Sequence, residues 1–508
     1  MGTSRADIVI GVDMGTTATK AVAYGTDGTQ LASASRGYPL HEPYPGHAVQ
    51  EPEEILEAVL ATTAEVAASI GPERVAGLCF SSAMHSLLAL DEELVPMTPV
   101  VTWADTRAAV QAERVRASAG GLALHRRTGT PVHPMSPLPK LMWFREQEPE
   151  VFRRAAVWGG IKDWVLWRLC GALVVDHSIA SAMGMMDIHQ LAWDEEALVL
   201  AGIRAEQLPE LVPTTRVLEG LTPEAAARLG LPGGTPVVVG AGDGPLANLG
   251  VGAVRPGMAA CSIGTSGALR VTVDAPAVDP RGGVFCYALT EERWVIGGAI
   301  NNGGVTLDWV RSEIAADAPQ DVAALLDLAQ QVPAGSGGLL MLPYLLSERA
   351  PHWSSLARGA YVGLTRAHRR EHLVRAAVEG VGLQLSLVLQ SLRAAGLEIH
   401  QIRATGGVMR HPLWRQVLAD AFALEIGLPA QHEGSGFGAA LLGMEALGLI
   451  ASIDVAEQRI PLATRVAPHP ASASVYATLL PVFDQLYDAL APANARLRTL
   501  APSLPLES

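Results

Sequence analysis

Cysteine is scarce in this sequence: its 508 residues include only Cys79, Cys170, Cys261 and Cys286, scattered along the chain. There is no CxxC pair and no Cys/His group with the spacing of a zinc site. We therefore expect reduced thiols and no structural zinc, which is typical of a cytoplasmic protein.

Long apolar runs are also missing, although apolar residues make up 49% of the chain. No stretch of roughly 20 apolar residues indicates a membrane span. The first residues run directly into a predicted strand, without the charged, apolar and cleavage regions of a signal peptide. These features predict a cytoplasmic protein with no membrane partner.

Positive charge is outweighed by negative charge, with 37 Lys and Arg against 51 Asp and Glu and a formal net charge of −14. This balance argues against nucleic acid or an anionic membrane as a partner. An anionic substrate would need cations concentrated locally. The length of the chain predicts two to four domains.

The stretch from Ile8 to Tyr24 contains the first informative motif. Two apolar runs, at 8–12 and 18–24, flank a polar turn and predict a β-hairpin with Gly15 at its turn. A glycine turn lets backbone N–H groups approach an anion, and a carboxylate such as Asp13 can hold Mg²⁺. The motif suits nucleotide phosphates, although an ordinary hairpin with a polar turn is an equal alternative.

A second hairpin of the same kind lies about half a chain later, at 258–273, with Gly264, Thr265, Ser266 and Gly267 at its turn. Two such phosphate loops suggest two similar domains that face each other across one nucleotide. The arrangement resembles the actin-like ATPase superfamily, which includes sugar kinases, actin and chaperone ATPases. We expect an α/β fold of two ribonuclease-H-like domains, at 1–252 and 253–508, with a cleft between them.

Polar side chains follow several predicted strands, where α/β proteins place ligands. The segment 81–86 contains His85, whose alternative interpretation is an ordinary buried histidine. The segment 100–107 ends in Trp103, Asp105 and Arg107, which suit a sugar's apolar face and hydroxyl groups. A structural salt bridge is the alternative for the Asp-Arg pair, and 176–184 is predicted as a loop.

Asp243 is a single carboxylate on a glycine-flanked turn after a buried strand at 237–239. The dinucleotide pattern GxGxxG fails there because its third glycine is replaced by Pro245. Two interpretations are open: Asp243 faces a ligand, or it caps the helix that is predicted to begin near Pro245. Gly406 and Gly407 form a strand-to-helix turn on which a flat ring can lie.

The chain resembles the FGGY carbohydrate kinases over nearly its whole length. Six motifs carry the resemblance, in the family's order: Asp13-Met14-Gly15-Thr16-Thr17, the first signature at 135–147, Gly242-Asp243, Gly264–Gly267, the second signature at 359–379, and Thr405-Gly406-Gly407. The sequence departs from the family at Gly244-Pro245, where many relatives carry polar residues.

Within the family, the segments 82–86, 103–107 and 342–351 look most like gluconate kinases, with xylulose kinases next. Glycerol kinases typically carry an Arg-Glu pair where Met84-His85 stands, so glycerol is disfavoured. The resemblance implies ATP-dependent phosphorylation of the terminal hydroxyl of a sugar acid, D-gluconate to 6-phosphogluconate. The alternatives are another FGGY sugar kinase, such as a xylulose kinase, and more remotely an actin-like ATPase acting on a protein partner.

The resemblance also assigns roles to residues, with ATP and Mg²⁺ as cofactors and a small sugar or sugar acid as partner; a homodimer is left open. Asp243 is the expected catalytic base, and Asp13 and Asp243 the expected metal ligands. The expected cofactor-binding residues are Asp13, Gly15, Thr16, Thr17, Lys20, Gly264, Thr265, Ser266, Asn301, Gly406, Gly407 and Met409. The expected substrate-binding residues are Met84, His85, Trp103, Asp105, Arg107, Lys162 and Asp243. Candidate cations for a substrate carboxylate are His85, Arg107, Lys162 and Arg349, with Asp163 as an alternative partner of Lys162.

Overall fold

The computed structural model describes residues 6–315, 321–430 and 434–500. The signal-peptide expectation rests partly on residues 1–5, which lie outside the described residues. The strands of the first half are β1 (Ile8–Met14), β2 (Ala18–Gly25), β3 (Gln30–Gly37), β4 (Val49–Gln50), β5 (Val75–Ser82), β6 (Leu88–Leu90), β7 (Val100–Val101), β8 (Val157–Gly159), β9 (Val174–Asp176), β10 (Met186–Asp187), β11 (Ala192–Trp193), β12 (Glu210–Val212), β13 (Val217–Leu218) and β14 (Val237–Gly242). Those of the second half are β15 (Met258–Ile263), β16 (Gly267–Val273), β17 (Phe285–Ala288), β18 (Trp294–Ile300), β19 (Leu340–Leu342), β20 (Ala360–Val362), β21 (Gln401–Thr405), β22 (Ile426–Pro429) and β23 (Leu462–Val466).

The helices surround these strands on both sides of the chain's midpoint. The first half contains α1 (Pro52–Ile70), α2 (Ala109–Arg116), α3 (Gly121–Thr128), α4 (Pro137–Gln147), α5 (Pro149–Arg154), α6 (Ile161–Cys170), α7 (His177–Ser181), α8 (Glu195–Ala201), α9 (Pro223–Leu229) and α10 (Asp243–Leu249). The second half contains α11 (Gly304–Trp309), α12 (Val322–Gln330), α13 (Arg370–Ala394), α14 (Pro412–Phe422), α15 (Gly434–Ala446), α16 (Val455–Arg459) and α17 (Pro470–Leu500).

The two large sheets repeat one topology. In the first, β3-β2-β1 are antiparallel, and β5 and β14 continue parallel to β1. In the second, β18-β16-β15 are antiparallel, and β21 and β22 continue parallel to β15. Each predicted phosphate hairpin is therefore the central antiparallel pair of its own sheet. The prediction of two similar α/β domains is confirmed.

Helices α10 and α15 pack against each other, and α15 also lies on the first sheet. The approach is close enough to require glycine: a Cβ on Gly11 of β1 would lie 2.1 Å from the carbonyl oxygen of Gly436, and one on Gly438 would lie 2.0 Å from that of Leu246. Thus α15, although late in the sequence, joins the second half to the first sheet. The domain boundary at 252/253 stays a prediction.

The segment 176–184 is not the predicted loop, because α7 begins there. Asp176 ends β9, and its Oδ1 accepts hydrogen bonds from the backbone N–H groups of Ser178 and Ile179, 3.0 Å each. This is an N-cap, which favours a helix where composition suggested a loop.

Helix α13 is long and apolar enough to cross a membrane by length and composition. However, 89% of its apolar window is buried inside the protein. The buried carboxylate of Glu379 in this helix accepts hydrogen bonds from Gly335 N–H, Ser336 Oγ and Tyr476. A polar network of this kind marks α13 as a core helix of the second half.

Candidate active site

A cavity of about 450 Å³ lies where the two halves meet. Both halves supply its lining: Thr16, Met84, His85, Trp103, Met135, Asp243, Gly244 and Ala247 come from the first, and Ser262, Gly264, Ser266, Gly267, Ala268, Arg270, Phe285, Tyr287, Ala299, Arg349, Trp353, Gly434 and Ser435 from the second. The two predicted hairpins and the predicted catalytic carboxylate therefore share one crevice.

Asp243 is the first residue of α10 and projects into this cavity. It is not the helix cap, because Gly242 occupies that position. Its Oδ1 accepts a hydrogen bond from Gly244 N–H at 2.7 Å. Burial, and then the nearby charge of Asp13, raise the pKa of Asp243 to about 6, while Arg270 and Arg349 oppose the rise. A carboxylate with such a pKa is suited to act as a base near neutral pH.

Asp13 is held by hydroxyl groups from both halves of the protein. Ser81 Oγ donates to its Oδ1 and Ser435 Oγ to its Oδ2, each at 2.7 Å. Because Ser435 belongs to α15, the contact fixes this carboxylate relative to both halves. The negative charge of Asp13 contributes to the raised pKa of Asp243, so the two carboxylates interact electrostatically.

The first hairpin turn is fixed by side chains from outside the hairpin. Tyr38 donates to the carbonyl oxygen of Gly15 at 2.7 Å, and the Gln50 amide donates to that of Thr16 at 2.6 Å. The Thr17 side chain is exposed at the turn. Lys20 is exposed further along β2 and lines neither this cavity nor the one described next.

A second cavity, of about 440 Å³, meets the first at Gly264. Its lining is Gly264, Thr265, Gly304, Leu307, Asp308, Asp321, Val322, Ala323, Leu326, Gly407, Val408, Arg410, His411 and Trp414. Gly407 faces open space there, and Gly406 has a φ of +108° with the backbone of Ile263 against it. Met409 is buried next to this turn and does not line the cavity. The second hairpin thus separates a polar cavity from a more apolar one.

His85 lines the first cavity and has a backbone φ of +67°. Its Nδ1 donates to the carbonyl oxygen of Ala182 at 2.8 Å, and its Nε2 lies 3.5 Å from the Tyr287 hydroxyl. Burial lowers the pKa of His85 to about 3, with Lys140 and Arg349 adding to the effect. His85 is therefore neutral at pH 7 and cannot be the cation for a substrate carboxylate.

Lys140 fixes two segments that line the first cavity. Its buried Nζ donates to the carbonyl oxygens of His85 at 2.8 Å and of Thr102 at 2.7 Å. Lys140 lies within the first signature at 135–147, and these bonds give it a structural role. Met84 and Trp103, which line the cavity, are the sequence neighbours of the two anchored residues.

Three predicted substrate-binding residues are not brought to the cavity. Asp105 and Arg107 form a buried salt bridge of 2.7 Å, and Asp105 also accepts the Ala48 N–H. Lys162 pairs at 2.6 Å with Asp176, and both side chains are at most 1% exposed. Asp105 and Arg107 thus form the structural salt bridge that was the alternative to sugar binding. The partner of Lys162 is Asp176, and the alternative of Asp163 is wrong.

Lys162 acts on the site indirectly, through the cap of α7. Its partner Asp176 caps that helix, and Ser178 Oγ in the same helix accepts the N–H of Gly242 at 3.2 Å. Gly242 directly precedes Asp243. The ion pair therefore supports the backbone from which the catalytic carboxylate projects.

Asn301 also has a supporting role. Its Oδ1 accepts from Arg349 Nε at 2.7 Å, and its Nδ2 donates to the carbonyl oxygen of Leu346 at 3.0 Å. Glu348, buried next to them, accepts from the N–H groups of Asn301 and Arg349. These bonds hold the Arg349 guanidinium over the ring of Trp103, 5.3 Å from its centroid.

Sequence reasoning missed several cavity residues, notably Arg270, Phe285 and Tyr287. Arg270 is the one charged residue of β16, which otherwise reads Gly-Ala-Leu-Val-Thr-Val. A lone charge in a buried strand was the available signal. No comparable signal marked Phe285 and Tyr287, whose stacked rings lie 4.3 Å apart.

Paired sheets of one topology, with a glycine-turn hairpin in each and a carboxylate in the crevice between them, define the fold of the actin-like ATPase type. Comparison with known proteins is more specific. Residues 8–250 match the model of the FGGY family of carbohydrate kinases, N-terminal domain, and residues 259–447 match its C-terminal domain. The chain belongs to the FGGY family of carbohydrate kinases.

Individual relatives align with this chain over nearly its full length. The chain is 44% identical to a gluconokinase of Bacillus subtilis (strain 168), over 94% of this chain and 95% of that one. It superimposes with a TM-score of 0.93 on the crystal structure of a gluconate kinase from Lactobacillus acidophilus, at 36% identity over 96% of this chain and 99% of that one. A ligand-bound xylulose kinase from the same organism gives the same values.

Proposed function

We propose that this carbohydrate kinase transfers the γ-phosphoryl group of ATP to the terminal hydroxyl of D-gluconate, giving 6-phosphogluconate. The observation that carries the proposal is the position of Asp243, in the crevice between the two phosphate hairpins and beside Arg270 and Arg349. The gluconokinase relative at 44% identity supports gluconate as the substrate.

In the proposed reaction, an Asp243 carboxylate oxygen accepts the proton of the terminal hydroxyl. The hydroxyl oxygen attacks the γ-phosphorus as the bond between that phosphorus and the β,γ-bridging oxygen breaks. ADP leaves with the electron pair of that bond. Phosphoryl transfer needs positioning and charge neutralisation more than covalent catalysis, so we assign phosphate binding to the turns at 15–17 and 264–267.

The carboxylates of Asp13 and Asp243 fit a magnesium ion, whose preferred protein ligands are carboxylate oxygens. The described part of the chain has no group of three or more His, Cys, Asp or Glu side chains that could hold a metal. Such a sparse set suits Mg²⁺, which keeps waters and binds substrate phosphates. When bound, the ion would neutralise phosphate charge, and Asp13, fixed by its two serine hydroxyls, would hold it.

The second cavity is assigned to adenosine. It begins at the hairpin turn Gly264 and continues over Gly407 to apolar side chains such as Leu307 and Leu326. A flat ring can lie on the open backbone of Gly407 while the triphosphate passes Gly264 towards Asp243.

The test is a coupled assay of ADP formation with Mg-ATP and a panel of acceptors. We expect D-gluconate to exceed D-xylulose in kcat/KM by about 10- to 100-fold, the value of one charge-assisted hydrogen bond. Faster turnover of D-xylulose would identify a xylulose kinase instead. ATP hydrolysis that ignores sugars and responds to an added protein would favour the actin-like ATPase alternative.

A cytoplasmic location, a homodimer and the absence of nucleic-acid and membrane partners stay predictions. Cell fractionation and light scattering of the purified protein would test the first two.

A further inference from the structure

The lining of the first cavity carries two cationic side chains, Arg270 and Arg349, and one carboxylate, Asp243. His85 adds no charge, because burial keeps it neutral. The carboxylate of Glu348 acts on Arg349, and that of Asp13 acts on Asp243. The site therefore holds both signs of charge, and its two cations differ in whether the protein already binds them.

The sheet register directs Arg270 towards the cavity. Arg270 on β16 pairs with Gly297 on β18, and Gly297 pairs in turn with Phe285 on β17. The absence of a side chain at Gly297 leaves room, since a Cβ there would lie 2.9 Å from Arg270 Cγ. The Arg270 side chain therefore crosses a glycine towards Phe285, on the face that lines the cavity.

Arg270 also differs from the other candidate cations in having no partner. Its guanidinium makes no hydrogen bond or ion pair with any residue at 6–315, 321–430 or 434–500. Arg349, by contrast, donates to Asn301 Oδ1 and to the carbonyl oxygen of Ile300. Arg107 and Lys162 are each paired with an aspartate. A part-buried guanidinium that faces a cavity without a partner in the protein has its donors available to an anionic ligand.

We propose that Arg270 binds the carboxylate of the sugar-acid substrate and sets the enzyme's preference for an acid over the corresponding neutral sugar. The inference rests on the proposed function, and it names the residue that reads the substrate's charge. A guanidinium offers two parallel N–H donors that match a carboxylate. Arg270 was not among the cations considered from the sequence.

Arg270 has two other possible roles. It can stabilise the ionised form of Asp243, whose pKa it lowers, or it can bind the transferred phosphoryl group. Either of those roles would serve every acceptor alike. Binding of the substrate carboxylate would serve acids alone. The difference makes the proposal testable by comparing two acceptors of the same carbon skeleton.

The experiment compares the wild-type enzyme with Arg270→Met and Arg270→Lys, using D-gluconate and D-glucitol as substrates or competing ligands. Assays at pH 8 keep Asp243 ionised in all three proteins. We expect Arg270→Met to raise KM for D-gluconate about 10- to 100-fold. The KM of D-glucitol, or its inhibition constant where it only competes, should change by less than about threefold. Arg270→Lys should give an intermediate KM, because it keeps the charge and loses the paired donors.

Equal losses for D-gluconate and D-glucitol in Arg270→Met would overturn the proposal and assign Arg270 to Asp243 or the phosphoryl group. An unchanged KM for D-gluconate would overturn it as well. A wild-type enzyme that uses only neutral sugars would reject the proposed function and this inference together. If the wild-type enzyme prefers another sugar acid, gluconate as the substrate fails, and the same comparison with that acid and its alcohol still decides the role of Arg270.

Discussion

The indole N–H of Trp103 donates a hydrogen bond to the side-chain oxygen of Thr16 over 2.8 Å. Trp103 lines the first cavity, and Thr16, which lines it too, lies in the turn of the first hairpin. The wall assigned to the sugar and the loop assigned to the phosphates are therefore in direct contact. A substitution in the wall is therefore expected to alter the position of the loop, and a substitution in the loop that of the wall.

A double-mutant cycle tests that coupling. Trp103→Phe keeps an aromatic wall and removes the donor, and Thr16→Val removes the acceptor with little change in shape. Each should lower kcat/KM about 3- to 10-fold, the value of one hydrogen bond. The double variant should be little worse than either single one. Fully additive losses would show that the two side chains act separately.

Asp243→Asn should lower kcat by at least about 100-fold, because an amide cannot accept the substrate proton as a carboxylate does. Binding of D-gluconate, measured by calorimetry, should change little. The matched control is Asp488→Asn, the same substitution at an exposed carboxylate of α17 outside both cavities, which should keep most of the turnover. Near-normal turnover in Asp243→Asn would remove Asp243 from the role of base.

The pH dependence of kcat/KM should show an acid limb near pH 6. Asp243 must be ionised to act as a base, and burial raises its pKa from 3.8 to about 6. Activity should therefore be full above that pH and should fall about tenfold for each pH unit below it. A profile that stays flat from pH 7 down to pH 5 would contradict the assignment.

Gly407→Val tests the adenosine site without disturbing the fold. A Cβ added at Gly407 meets no protein atom within 4 Å, and Gly407 lines the second cavity. KM for ATP should rise about tenfold or more, a loss of roughly 1.4 kcal/mol. Gly233→Val is the control, since Gly233 also faces open space and lies outside both cavities. Equal KM values for ATP in the two variants would place adenosine elsewhere.

Gly11→Ala tests the contact that joins α15 to the first sheet. The added Cβ would lie 2.1 Å from the carbonyl oxygen of Gly436, a backbone atom that cannot rotate away. The free energy of unfolding should fall by about 1–3 kcal/mol in urea titrations, the usual cost of overpacking. Gly233→Ala, in open space, should change it by less than about 0.5 kcal/mol. Equal stability of the two variants would show that α15 adjusts freely.

The sequence alone determined the parts of this protein that depend on neighbouring residues. The hairpins at 8–24 and 258–273 and the placement of Asp243 at a strand end were all predicted, and the structure has them. Alternating apolar residues and glycine turns fix such elements locally. The resemblance to the FGGY family was predicted for the same reason, because its motifs are short and contiguous.

Tertiary structure decided which charges remain available to a substrate. Asp105 is neutralised by Arg107 and accepts the N–H of Ala48, and Lys162 on α6 meets Asp176 at the end of β9. Arg270, in contrast, has no partner among the described residues and is turned into the cavity by the register of three strands. Whether a charged side chain is satisfied depends on which elements pack around it, and only folding brings its partners within hydrogen-bonding distance.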